Sequence, residues 1–320
     1  MTAAWILLVG LSVSVQSTPP GLRDPGPSVA LLVRNSCAAT LRPGLIRAKP
    51  RPVQEATYLH VGDELRCTSR KGQLTVKLNN GQTRDITSAD PPFIVKDTLL
   101  EEKQRAKGEQ VAEVIRHHGD RAGSRGGDSS SRITFPSSGA VVWPQRFVIR
   151  WAPELMSGRL RLSVWRTGDK SALWSAADVD ARSSALDSPE LRAAMTNVAP
   201  PQPNAPQLLV LQFVDEKGAG AIPFQVLSTQ ETLALDRDLM KWDQEKVPLL
   251  RLLGRAYSFD TRKLFQEASQ EYKAAFELTG SCDMLNEAIA ASGRAQDAPQ
   301  VRQLSSRRAT IPGGCEDRYR

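Results

Sequence analysis

A chain of 320 residues, with 40% hydrophobic residues, 6% aromatics, 21 Pro and 22 Gly, has room for two or three domains with modest cores joined by linkers. The net charge of +7 suits anionic partners. The bases read as spread along the chain, without long like-charge blocks or interleaved aromatics, which argues against a nucleic-acid partner.

Trp5 to Val15 is an apolar run too short to span a bilayer as a helix. Val15 and Ser17 offer small residues for a cleavage site, so residues 1–17 read as a signal peptide, although Met1–Ala4 carries no Lys or Arg. A buried N-terminal strand is the alternative. No later run is long enough for a membrane helix, so an exported chain, periplasmic or extracellular, is expected. Four cysteines fit that compartment. They fall as one pair near each end, so Cys37–Cys67 and Cys282–Cys315 are the natural bridges among three connectivities. Metal binding would require short ligand spacings such as C-x2-C, and none occurs.

Val29–Val33 reads as a strand opening a first β module over residues 28–96, and Pro43, Pro50 and Pro52 then argue for a loop. From Tyr58 to Cys67 the chain ends in alternation. Lys71-Gly72 is a turn, Leu74, Val76 and Leu78 alternate with Thr75 and Lys77, and Asn80-Gly81 is a hairpin signal. Gly62-Asp63-x-Leu65, Gly72-x-Leu74-x-Val76-x-Leu78, Asn80-Gly81 and Ile86 together resemble the β module of FecR-like proteins, over about residues 58–95. That resemblance implies a small periplasmic β domain. The anti-sigma segment and membrane helix of the family's namesakes have no counterpart here, so the module is expected without the pathway.

Residues 97–132 read as a short amphipathic helix and a Gly/Ser-rich linker, with His117 and His118 solvent-exposed at its edge. A second β module is expected over residues 133–228. Phe147–Trp151 and Leu160–Trp165 read as strands, Ser188-Pro189 as a helix start, and Leu208–Val214 as a strand buried on both faces. The rhythm of Pro136-x-x-Gly139, then Phe147-x-Ile149-x-Trp151, resembles immunoglobulin-like or fibronectin-type sandwiches of bacterial envelope proteins. Trp151, Trp165 and Trp174 could offer a stacking surface, but such tryptophans more often fill a core.

Residues 229–320 read as helices: Thr232–Trp242, Leu249–Tyr257, Thr261–Leu278, Cys282–Ala291 and Ala298–Arg308. Leu253-Gly254-x2-Tyr257 and Ala268-x3-Tyr272-x2-Ala275, ending at Gly280, resemble one tetratricopeptide repeat, with an interhelix loop slightly longer than usual. One repeat cannot bury its own face and requires neighbours. Its groove would present Tyr257, Lys263, Tyr272 and Lys273 to a protein partner.

The fold class expected is mainly β with a C-terminal α segment: two small antiparallel β modules and a tetratricopeptide-like tail. No G-x-S-x-G, Walker loop or H-E-x-x-H occurs, and His60 is the only histidine placed to serve a triad. Asp63 and Glu64 are strand neighbours and face opposite ways. Asp178, Asp180 and Asp187 lack EF-hand spacing. The expected function is a non-enzymatic bacterial envelope binding or scaffold protein without cofactors, in contact with envelope proteins. One alternative is a module binding anionic wall polymer or glycan through Arg47, Lys49 and Arg51; another is a hydrolase with a carboxylate site.

Overall fold

A computed structural model describes residues 28–44, 49–96, 132–198, 207–311 and 315. The expected signal peptide, the helix and linker ahead of Arg132, His117, His118 and Arg47 lie outside the described residues. Within them the protein is mainly β, with a C-terminal helical region.

The first module is a sandwich of two four-stranded sheets. One has the order β4 (Thr57–His60), β1 (Ser28–Asn35), β6 (Leu74–Leu78), β7 (Thr83–Ile86); the other runs β3 (Arg51–Pro52), β2 (Ala39–Arg42), β5 (Glu64–Cys67), β8 (Phe93–Ile94). Leu32, Leu59, Leu74 and Val76 of the first sheet meet Leu41, Leu65 and Cys67 of the second in one core. The stretch from Tyr58 to Cys67 is therefore two strands in different sheets, turned at Val61–Asp63. Asp63 is buried and structural: its carboxylate accepts from the Gly44 and His60 amides at 3.1 and 3.0 Å. Those bonds explain the Gly-Asp motif, because a buried carboxylate has to be satisfied where it sits.

The second module packs a five-stranded sheet on a three-stranded one. The larger has the order β10 (Val141–Val142), β16 (Gly218–Val226), β15 (Gln207–Asp215), β12 (Arg159–Arg166), β13 (Trp174–Asp180), with β10 parallel to β16 and the other pairs antiparallel. The smaller is β14 (Ala185–Leu186), β11 (Ile149–Trp151), β9 (Ile133–Phe135). Ser188 accepts from the Leu191 amide and starts α1 (Pro189–Thr196), whose Leu191 and Met195 join the core. Trp151 is core, its indole donating to the Ala181 carbonyl at 2.9 Å.

Five helices follow: α2 (Thr229–Asp243), α3 (Pro248–Asp260), α4 (Phe265–Thr279), α5 (Cys282–Arg294) and α6 (Ala298–Ala309). Ser228 and Glu231 form a reciprocal capping box, so α2 begins before the expected Thr232. α4 begins at Phe265 instead of Thr261, because Lys263 turns the chain with φ 61°. Gly254 lets the Trp242 ring lie against α3; a Cβ there would meet that ring at 2.0 Å.

The helices hold both β modules. Leu31, Val33 and Tyr58 from the first and Trp143 and Leu227 from the second share one core with the helix interior. At the first seam the Tyr58 amide donates to Asp283 at 3.0 Å and Ser281 donates to the Ala56 carbonyl at 2.9 Å, which covers β4, an edge of its sheet. At the second, Ser137 donates to the Ala295 carbonyl and Trp143 lies 5.8 Å from the Phe259 ring. Cys37 pairs with Cys67 and Cys282 with Cys315, Cα atoms 5.9 and 5.2 Å apart. Among the described residues no helix is long and apolar enough to cross a membrane.

Candidate protein-binding face

The strongest candidate surface follows from a pattern within one strand. β15 alternates buried and exposed along its length, with Leu209, Leu211 and Phe213 in the core and Leu208, Gln212 and Val214 outside. The expectation that Leu208–Val214 is buried on both faces is corrected here. The inner face packs on the small sheet, and no element among the described residues covers the outer one. Leu208 is 47% and Val214 44% exposed, large values for such side chains.

Register extends this face across three strands. Trp165 of β12, Val210 of β15 and Pro223 of β16 lie side by side; the next rows are Ser163, Gln212 and Ala221, then Arg161, Val214 and Ala219. The Trp165 indole donates to Ser163 Oγ at 2.8 Å, two residues along the strand, which fixes the ring on the outer face. Trp174 instead packs at the rim of the inner core. The three tryptophans therefore divide between the two sides of the sheet and do not form one stacking surface. The outer face is an apolar band interrupted at its centre by Ser163 and Gln212, with Arg161 at its margin, a make-up that suits a protein contact. β13 forms one edge of the same sheet.

The expected groove residues are placed differently. Tyr272 is fully buried in the helical core, which removes it from any contact surface. The aromatic that would line a repeat groove here fills the helix interior instead, because that core also receives Leu31 and Tyr58 of the first module. Tyr257 is half-buried, Lys263 is exposed on the α3–α4 turn, and Lys273 lies 3.9 Å from Glu277. Arg255 bridges Asp243 and Glu271 at 2.8 and 2.9 Å, so these charges tie α2, α3 and α4 together. Lys49 is exposed and Arg51 half-buried on β3, an edge of its sheet.

Glu267, in the first turn of α4, has its Oε2 buried without a hydrogen-bond partner; burial pushes its pKa up to about 7, against the opposing pull of Arg146 and Arg150 across the seam. Asp215 behaves in the opposite way. Burial raises its pKa, but Arg132 and the Ser157 and Lys217 amides outweigh that and hold it below the ordinary carboxylate value. A cleft of about 130 Å³ lies between Pro144, Met195, Val226, Leu227 and Thr232, and neither acid lines it. Asp187 pairs with Arg192, and Asp180 accepts from the Arg182 amide, so these two acids are held locally. Among the described residues no three His, Cys, Asp or Glu side chains are grouped to hold a metal ion.

No protein-family model matches the chain, and no curated protein matches it.

Proposed function

We propose that this is an exported, non-enzymatic binding or scaffold protein of the bacterial envelope, and that it contacts an envelope protein through the outer face of the five-stranded sheet. One observation carries the reading: Leu208, Val210 and Val214 share a face with Trp165 and Pro223, and no element among the described residues covers it. The two disulfides support an oxidising compartment. The helical region acts as the spacer that fixes both β modules. The FecR-like and tetratricopeptide-like resemblances fit this role as small non-catalytic parts.

The test places a photo-cross-linking residue at Gln212, in the middle of the face, and at Gln54 on the first module as a control. The expected result is an envelope-protein adduct from Gln212 that disappears on Leu208→Asp while the fold is retained. Equal adducts from both positions, or an adduct indifferent to Leu208→Asp, would remove this face from the proposal. Thiol trapping before lysis tests export independently; four free thiols would overturn it.

A further inference from the structure

The charge of the chain is less evenly distributed than it first reads. From Ser28 to Lys96 the sequence carries eleven Lys and Arg against five Asp and Glu, a net of +6 out of +7 for the whole protein. The acids of this module are already engaged. Asp63 is buried on two amides, Glu55 accepts from the Asn35 amide, Asp85 from Thr75, and Asp90 from Thr87, while Glu64 lies 3.6 Å from Arg42.

The fold brings four bases to one end. The Ser36 amide donates to the Gln73 carbonyl at 3.0 Å, and the Ala38 amide to Ser69 Oγ at 3.2 Å. Cys37–Cys67 closes the same end. Gly72 makes the approach feasible: its φ is 105°, and a Cβ would meet the Ser36 carbonyl oxygen at 2.1 Å. Arg70 and Lys71 stand on the turn bonded to Ser36–Ala38; Arg34, level with Thr75, flanks that turn on the outer side of one sheet, and Arg66, between the buried Leu65 and Cys67, flanks it on the outer side of the other, and all four are exposed. None has a carboxylate partner among the described residues, and Glu55, on the Asn35 amide, is the acid beside them. The bridge and the hydrogen-bonded loop fix the backbone that carries these bases, which lowers the cost of ordering them on a ligand.

We infer that this disulfide-closed end of the first module, with Arg34, Arg66, Arg70 and Lys71, binds an anionic glycan. Guanidinium groups suit sulfate, phosphate and carboxylate oxygens. The aromatics of the module are spent elsewhere: Tyr58 is buried against the helices, and Phe93 lies 5.4 Å beneath the Arg84 guanidinium. Among the described residues no aromatic stacking platform accompanies the four bases, which favours a sugar polymer over single-stranded nucleic acid. The inference is independent of the protein-binding face, which lies on the other β module.

The experiment measures binding of the full chain to heparin across a salt series. Arg66→Glu, Arg70→Glu and Lys71→Glu are combined and compared with an equal charge change at exposed positions elsewhere, Arg182→Glu, Arg237→Glu and Lys246→Glu. The disulfide-end triple is expected to weaken binding by about tenfold or more and to flatten its salt dependence, and the control triple by less than about twofold. Both triples keep the wild-type melting temperature, which separates lost binding from lost fold. Equal weakening by the two triples would reduce the effect to bulk charge and overturn the inference. Tighter binding to a single-stranded oligonucleotide, lost in the same triple, would overturn the glycan as the ligand class.

Discussion

β1 and β15 look alike as sequence and end differently. Val29–Val33 and Leu208–Val214 are both nearly unbroken apolar runs. In β1 both faces are used: Ala30 and Leu32 point into the sandwich, and Leu31 and Val33 into the helices, all six residues from Ser28 to Val33 being buried. In β15 one face packs, and no element among the described residues covers the other. A continuous apolar run supplies the side chains for cover on both faces without deciding whether both are covered. β1 finds its second cover within the chain, whereas β15 presents the same chemistry to the outside. That contrast is the physical argument behind the proposed partner on β15.

The comparison can be broken most forcefully at β1. Leu31→Ala removes a fully buried side chain from the helix seam and should cost about 2–5 kcal/mol in denaturant unfolding. A cost under about 1 kcal/mol would mean that the second face of β1 is not truly covered. Next, Gly254→Ala drives a methyl into the Trp242 ring and should cost about 1–3 kcal/mol, read as a lower melting temperature. An unchanged melting temperature would show that α2 and α3 can separate freely.

A third measurement concerns the other seam. The Glu267 carboxyl has a folded pKa of about 7, above its ordinary value of 4.5. Between those values the unfolded chain has released the proton and the folded one retains it, so stability is full below the lower value and falls as pH rises through the upper one. Glu267→Gln should flatten that decline; an identical pH profile in the variant would place the carboxylate in a wetter site. The smallest effect belongs to β15. Leu208→Lys with Val214→Lys should leave stability within about 0.5 kcal/mol of the wild type, measured by thermal unfolding. A large loss would show that the face is covered within the chain itself.

Much of this fold was legible locally. The alternation of Leu74, Val76 and Leu78, the Ser188-Pro189 helix start and both cysteine pairs appear as read. The Ser228-x-x-Glu231 capping box was also present in the sequence and would have placed the start of α2 correctly. What periodicity could not reveal is what lies across a seam. Tyr272 satisfies the spacing of a groove aromatic, yet it is core, because β-module side chains from far away in sequence share its interior. Leu208 and Leu31 are indistinguishable until a third element is placed against one of them. The basic end of the first module was hidden for a related reason: the segments that carry Arg34 and Arg70 come together only through hydrogen bonds between Ser36–Ala38 and Ser69–Gln73.

The bond from the Tyr58 amide to Asp283 joins residues 225 positions apart. A chain made from its N-terminus therefore produces the first module long before it produces the helix that finishes it. Until α5 emerges, β4 has an open edge and Leu31 and Tyr58 face water, a state prone to pairing with another unfinished chain. The last helices thus act late in biogenesis as a closure for the first strands, and a chain truncated before Asp283 is expected to aggregate through β4 even though every strand of its first module has been made.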